Sequence, residues 1–290
     1  ALTPNGKIKY RLIDSSLPNN HVGTWLSSPA IASDGTIYVT TYANHKVPGV
    51  IDNHVQHTVA FNPDGSTRWK SIMSSNNGMI AMGRDDTIFI SAYNYGAAGS
   101  VNAINSKTGK KIWNFIPDSN RGVYSSATPA IGNNGLVYFG DMDGKIYALS
   151  QDKGDLKWEA STGDPITNSP AIGENGNVYF SVEADLLSCN PENGKVTWIY
   201  NGGGVIKTSP IIGYDNQIYL GYDKRIVSVN LSDGKLIWSF NAECSISPAL
   251  GNDGILYFGS SDRNIYALNS LNGKKVWETK LDKDIKSSPL

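Results

Sequence analysis

The sequence has almost no charge imbalance, few cysteines and no long apolar run. Its 290 residues include 25 Lys and Arg against 26 Asp and Glu, without the clustered basic residues typical of nucleic-acid binders. No apolar stretch approaches the ~20 residues of a membrane-spanning helix. The first residues, ALTPNGKIKY, show no secretory signal. We therefore expect neither a nucleic-acid partner nor a transmembrane segment.

The two cysteines, Cys189 and Cys244, are too few and too far apart in sequence for a disulfide framework. The simplest interpretation is two unpaired, buried thiols. Helical periodicity is absent too, whereas 30 glycines and 40% hydrophobic residues are typical of a soluble all-β protein with many turns.

The most informative feature of the sequence is a set of internal repeats. Units open with a Ser-Pro or Thr-Pro pair, whose prolines are Pro29, Pro129, Pro170, Pro210, Pro248 and Pro289. They close with an aromatic residue, in order Tyr10, Trp69, Trp113, Trp158, Trp198, Trp238 and Trp277. From Trp158 onward these aromatics are 40, 40 and 39 residues apart. A period near 40 residues indicates a stacked-repeat architecture.

The sequence pattern predicts four short strands in each unit. In TPAIGNNGLVYFG (128–140) two apolar segments flank Asn134-Gly135, and the counterparts of this pair are Asp34-Gly35, Asn175-Gly176, Asp215-Asn216 and Asp253-Gly254. Such pairs favour two-residue hairpin turns with positive φ at both positions. Two further strands, such as KIYALS and the segment ending in Trp, complete the unit. The pattern predicts an all-β fold, a β-propeller of four-stranded antiparallel blades, with a linear solenoid as the alternative.

The chain ends match complementary parts of one unit. ALTPNGKIKY resembles residues 267–277, and the final SSPL resembles the first strand of a unit. Together they would form a closing blade shared by both termini, giving seven blades, or eight in a longer chain. Residues 250–266 have no counterpart in this composite. We expect residues 1–290 to be a single propeller domain, a fragment lacking part of the closing blade.

The segment AINSKTGKKIW (103–113) resembles the tryptophan-docking repeat of the pyrroloquinoline-quinone (PQQ) propellers. Ala103, Thr108, Gly109 and Trp113 match, and Asn105 stands where that repeat usually has Asp. The resemblance implies that one tryptophan per blade stacks on the neighbouring blade. The implied structural docking residues are Trp69, Trp113, Trp158, Trp198, Trp238 and Trp277.

The resemblance covers two functional branches. One comprises quinoprotein dehydrogenases, in which PQQ and Ca²⁺ serve the oxidation of alcohols or sugars. The other comprises non-catalytic propellers, such as the lipoprotein of the outer-membrane β-barrel assembly machinery. Many of the alcohol dehydrogenases carry an adjacent Cys-Cys pair, which this sequence lacks, and no catalytic residue can be mapped. The expected function is non-catalytic binding or scaffolding without a cofactor, in an extracytoplasmic monomer; PQQ and Ca²⁺ belong to the alternative.

Extra loop length marks the expected binding face. Residues 42–58 and 93–100 replace short turns, and the segments 13–28 and 116–126 are long as well. The candidate ligand- or partner-binding residues there are Trp25, Tyr42, His45, His54, His57, Tyr93, Tyr95, Arg121 and Tyr124. Aromatic residues with Arg are typical of binding hot spots, so a protein, a small molecule or a saccharide is the expected partner. His54-x-x-His57 alone does not predict a metal site.

Overall fold

The computed structural model describes residues 24–25, 28–45, 53–73, 78–94, 97–118, 127–213, 215–244, 246–285 and 288. Within these ranges every regular element is a β-strand. The strands form six antiparallel sheets, each with four strands in chain order, and the first sheet has one additional short strand. This confirms the predicted all-β architecture of four-stranded units. The predicted closing blade falls on the chain ends, outside the described residues.

The chain divides into two compact units, of which the first consists of residues 1–131 and 150–155. Sheet 1 comprises β1 Thr24–Trp25, β2 Ala30–Ile31, β3 Ile37–His45, β4 Asn53–Phe61 and β5 Thr67–Met73. Sheet 2 comprises β6 Ile80–Met82, β7 Thr87–Asn94, β8 Ala97–Asn105 and β9 Lys111–Phe115. Both β1 and β2 pair with β3.

The second unit consists of residues 132–149 and 156–290 and holds every strand of sheets 3 to 6 except β10. Sheet 3 comprises β10 Ala130–Ile131, β11 Leu136–Gly140, β12 Lys145–Ser150 and β13 Leu156–Ser161. Sheet 4 comprises β14 Ala171–Ile172, β15 Val178–Val182, β16 Asp185–Cys189 and β17 Val196–Asn201. Sheet 5 comprises β18 Ile211–Ile212, β19 Gln217–Gly221, β20 Ile226–Asn230 and β21 Leu236–Phe240. Sheet 6 comprises β22 Ala249–Leu250, β23 Ile255–Gly259, β24 Asn264–Asn269 and β25 Lys275–Lys280.

In all six sheets the tryptophan of the last strand pairs with a small residue. The pairs are Ala60–Trp69, Ala103–Trp113, Ala148–Trp158, Ser188–Trp198, Ser228–Trp238 and Ala267–Trp277. A register shift follows each pair, so one strand bulges directly beyond the indole. A bulge increases the local twist and redirects side chains. The repeat therefore needs both the small partner and the tryptophan at fixed spacing.

Each indole also contacts an aromatic ring of its own sheet, with centroids 5.6 to 5.9 Å apart. In five cases the indole also meets a glycine turn from the following repeat. These glycines are Gly109, Gly154, Gly194, Gly234 and Gly273, all with φ between 67° and 72°. A Cβ at any of them would lie 2.5 to 2.6 Å from an indole atom. Glycine is required there because its backbone is left-handed and it touches the ring.

Most of the indole N–H groups also form hydrogen bonds with the following repeat. They donate to the carbonyl oxygens of Ser106, Gln151, Pro191 and Ser270 at 2.6 to 2.9 Å. Trp198 is different: its indole N–H is buried and has no hydrogen-bond partner among the described residues, and the neighbouring Tyr179 hydroxyl donates to the carbonyl of Leu231. Trp277 contacts Tyr257 but is 41% exposed. Among the described residues, no glycine turn covers Trp277.

The first hairpin turn of most units differs from the prediction. We expected positive φ at both turn residues, but in the Asn134-Gly135, Asn175-Gly176 and Asp253-Gly254 pairs only the glycine has it. The asparagine or aspartate instead accepts a hydrogen bond from the backbone N–H two residues later, as in Asn177 N–H to Asn175 Oδ1 at 3.1 Å. This side-chain acceptor stabilises a longer turn in which a single left-handed residue suffices.

The expected long loops of the first two sheets are partly strand. The pairing of β3 with β4 continues from Ile37–Phe61 to His45–Asn53, and that of β7 with β8 reaches Asn94–Ala97. Most of 42–58 and of 93–100 therefore extends two hairpins. Two adjacent segments of similar length satisfy their backbone N–H and C=O groups most simply by continuing the ladder.

Replacing Gly194 by Ala should destabilise the protein more than replacing Gly176 by Ala. Both glycines have positive φ, at 70° and 82°, and a left-handed alanine costs about 1–2 kcal/mol. Only the Gly194 variant adds a Cβ 2.6 Å from Trp158, whereas nothing lies within 4 Å of the Gly176 position. Overpacking should add about 1–3 kcal/mol to its loss of unfolding free energy. Urea denaturation of both variants measures the difference, and equal losses would contradict the docking role.

Candidate functional site

The structure brings part of the predicted site together in sheet 1. Thr41 of β3 pairs with Trp25 of β1 on one side and with His57 of β4 on the other. Three further candidates lie along the same hairpin, namely Tyr42, His45 and His54. Tyr93 lies in β7 of sheet 2. Tyr95, Arg121 and Tyr124 lie outside the described residues.

His57 is the member of this set whose side-chain environment is described. It is only 7% exposed, and Thr41 opposite is 2% exposed. The hydroxyl of Thr41 is buried and has no hydrogen-bond partner among the described residues. His57 therefore belongs to the interior of sheet 1.

A buried carboxylate organises the corresponding hairpin of sheet 3. Asp141 is fully buried, and its Oδ1 accepts the backbone N–H groups of Asp143 and Lys145 at 3.0 and 2.8 Å. Its Oδ2 accepts the Tyr147 hydroxyl at 2.8 Å. Burial, and then this hydrogen bond, raise the pKa of Tyr147. With three donors on one carboxylate, the turn at residues 141–144 is structural.

Sheet 6 repeats this arrangement in part. The Tyr266 hydroxyl donates to Oδ2 of Asp262 at 2.7 Å, and the Asn264 N–H donates to Oδ1 at 2.8 Å. Sequence reasoning did not identify these tyrosine–aspartate pairs. A spacing of Asp-x-x-x-Tyr or Asp-x₅-Tyr across a hairpin turn could have indicated these pairs.

Both cysteines are free and buried, as predicted. Cys189 lies in β16, and burial raises the pKa of its thiol to about 12. Cys244 precedes sheet 6 and donates its thiol to the Ile246 carbonyl at 3.3 Å. Burial, with a smaller contribution from the charge of Glu243, raises its pKa to about 12 as well. Both thiols are core-filling groups and stay protonated at neutral pH.

The dehydrogenase branch of the resemblance implies a site for PQQ and Ca²⁺. Among the described residues, no group of three or more His, Cys, Asp or Glu side chains is arranged to hold a metal ion. The two cysteines are not adjacent: one lies in sheet 4, and the other lies in the connection before sheet 6. In the same part of the chain, no helix is long and apolar enough to cross a membrane.

Four-stranded sheets in chain order, each with a tryptophan on its last strand, define a β-propeller of PQQ-like repeats. A family model described as "Outer membrane protein assembly factor BamB" matches residues 14–182, 97–243 and 164–290. The chain therefore belongs to this family.

Solved structures support the fold. BamB from Moraxella catarrhalis is similar with a TM-score of 0.67 at 16% identity, over 89% of this chain and 74% of that one. The quinohemoprotein alcohol dehydrogenase ADHIIG from Pseudomonas putida HK5 has a TM-score of 0.56 at 16% identity, over 72% and 42% of the two chains. At these identities the likeness shows the fold alone.

One curated relative is similar in sequence. The quinoprotein alcohol dehydrogenase PedH of Pseudomonas putida is 30% identical over 118 residues. The match takes in 35% of this chain and spans about a fifth of the length of that enzyme, 20%. Both branches that the repeats resemble are thus represented among its relatives.

Because of the two buried thiols, the free energy of unfolding should decrease as the pH rises into the alkaline range. Their ordinary pKa of 9.0 applies in the unfolded chain, and about 12 applies in the folded protein. The folded state therefore holds more protons between these values, and the free energy of unfolding should decrease by up to about 1.4 kcal/mol per pH unit for each thiol.

Urea denaturation from pH 8 to 11 measures this slope in the natural chain and in a Cys189→Ala, Cys244→Ala variant. The variant controls for tyrosines, whose ionisation gives a slope of the same sign. An identical slope in both proteins would contradict the assignment of raised thiol pKa values.

Proposed function

We propose that the protein is a non-catalytic scaffold that binds a protein partner through the extended hairpins of sheets 1 and 2. The observation that supports this proposal most directly is the length of the β3–β4 ladder, which has nine paired positions from Ile37–Phe61 to His45–Asn53. The equivalent ladders of sheets 4, 5 and 6 have five. The additional pairs lie at the turn end of the hairpin.

A ladder of this length favours a binding role for a physical reason. Its backbone groups are paired internally, so the hairpin can extend from the sheet as an ordered element. Binding residues are commonly held in this way, on connections positioned by a rigid scaffold. The residues at the turn end include Tyr42, His45 and His54, and aromatic residues are enriched at interface hot spots.

The family match supports the scaffold over the enzyme. The matched family is described as an outer-membrane assembly factor, and its matches together extend from residue 14 to 290. The dehydrogenase relative matches about a third of the chain, 35%. An extracytoplasmic location is part of the same proposal, and it rests on that family description.

Photocrosslinking tests the partner surface. A benzoylphenylalanine at Asn44, in the distal part of the hairpin, should give a discrete adduct with another protein in the cells that make it. The same group at Lys157, on the exposed face of β13 in sheet 3, is the matched control. Adducts at Lys157 alone, or at neither position with both variants folded, would overturn the proposal.

Calorimetric titration with PQQ in the presence of Ca²⁺ tests the enzyme alternative. We expect no binding heat, because the scaffold proposal assigns no cofactor to the protein. The protein must be folded in the same buffer, as shown by its thermal transition. One-to-one binding in the micromolar range would reject the scaffold proposal in favour of a quinoprotein dehydrogenase.

A further inference from the structure

The connection from sheet 4 to sheet 5 has three successive glycines, Gly202, Gly203 and Gly204, lying beside Tyr222. A Cβ at Gly202 would lie 2.2 Å from the Tyr222 hydroxyl oxygen, and one at Gly204 would lie 3.7 Å from its Cδ1 atom. The backbone of Ile206 then bridges to Tyr222 itself. The loop thus covers the tyrosine with main chain only.

The Tyr222 hydroxyl is the unusual group at this place. The residue is 2% exposed, and its hydroxyl has no hydrogen-bond partner among the described residues. A buried donor without an acceptor is destabilising, and native structures rarely keep one without a reason. Burial raises its pKa, so the hydroxyl remains a donor at any physiological pH.

Other donors around Tyr222 also lack acceptors. In the loop, Gly202 donates to the Ala184 carbonyl, Gly203 donates to the Asn201 side chain, and Ile206 donates to the Glu183 carbonyl. The N–H groups of Gly204 and Val205 have no acceptor within the described part of the chain. Gly203 has φ of 70°, and backbone of alternating handedness directs successive N–H groups to one side, as in anion-binding nests.

Arg225 supplies a positive charge to the same place. Its guanidinium carbon lies 5.8 Å from the centre of the Tyr222 ring, and one of its nitrogens donates to the Gly202 carbonyl. The other guanidinium donors have no acceptor among the described residues.

The nearby acidic side chains are already engaged. Asp185 accepts the Asn201 amide at 2.6 Å, and Asp223 pairs with Lys207 at 3.1 Å. Exposed Glu183 is the exception, and its backbone contributes the carbonyl that accepts Ile206. The carboxylates of Asp185 and Asp223 therefore do not supply an acceptor for the Tyr222 hydroxyl.

We propose that this junction binds a carboxylate group, held by the Tyr222 hydroxyl, the Arg225 guanidinium and the N–H groups of Gly204 and Val205. A carboxylate offers two oxygens with several lone pairs, which matches a guanidinium together with main-chain donors. Because the Gly202 main chain lies against the buried hydroxyl, binding as proposed requires a displacement of residues 202–204. This site lies in the second unit and is independent of the sheet 1 hairpin, so either proposal can fail alone.

Titration with N-acetylglycine, followed by ¹H–¹⁵N NMR, tests the site. The amides of Gly204 and Val205 and the side-chain Nε–H of Arg225 should shift with one common saturation curve. N-acetylglycinamide, which has the same shape but no charge, should give no saturable shift. Equal shifts with both compounds, or no saturation with N-acetylglycine, would overturn the proposal.

The Tyr222→Phe variant separates binding from structure. It should weaken N-acetylglycine binding about tenfold, with a melting temperature that is unchanged or higher, because the lost hydroxyl is unpaired in the free protein. The control Tyr179→Phe removes a hydroxyl that donates to the Leu231 carbonyl at 2.9 Å; it should lower the melting temperature and leave binding unchanged. Arg225→Gln should also weaken binding. Natural affinity in both Tyr222→Phe and Arg225→Gln would reject the site.

Discussion

The contact between a tryptophan and the glycine turn of the following repeat is the constraint on which the described sheets depend. The indole contacts both an aromatic ring of its own sheet and a left-handed glycine, as Trp158 contacts Tyr138 and Gly194. Its N–H usually donates to a carbonyl beside that glycine, as Trp158 does to Pro191. A larger residue at the glycine would displace the ring, and a larger partner than Ala or Ser would alter the bulge opposite it. The repeat spacing follows from these three requirements.

The tryptophan–glycine contacts occupy one end of the sheets, so the connections at the other end can differ between repeats. The glycine turns join the third strand to the fourth, whereas the turns between the second and third strands lie at the opposite end of the antiparallel sheet. Variation is concentrated there: a nine-residue ladder in sheet 1, the Asp141–Tyr147 pair in sheet 3 and the glycine loop before sheet 5. A conserved packing requirement and a variable surface thus occupy separate ends, which suits a binding scaffold.

The sequence was sufficient to predict the features that recur in every repeat, but not the features that occur in a single repeat. The tryptophans, the glycine turns and the four-strand units were predictable because the same residues recur at a fixed spacing. The turn at Asn175-Gly176 was assigned wrongly, because a dipeptide does not reveal that the asparagine side chain replaces a second left-handed residue. His57 was expected in a loop, but it is buried in a strand. The Tyr222 hydroxyl could not be found, because the absence of an acceptor depends on distant parts of the chain.

Comparison among repeats can identify functional positions without an alignment of relatives. Four indole N–H groups find a carbonyl, but that of Trp198 does not. Asp141 occupies the position in sheet 3 that Tyr222 occupies in sheet 5, and its polar atoms are satisfied. Trp198 and Tyr222 belong to one apolar cluster of sheets 4 and 5, and Thr41 of sheet 1 likewise has no partner among the described residues. Packing alone would favour the arrangement of sheet 3, so the unpaired hydroxyl of Tyr222 is the departure that the proposed carboxylate site would explain.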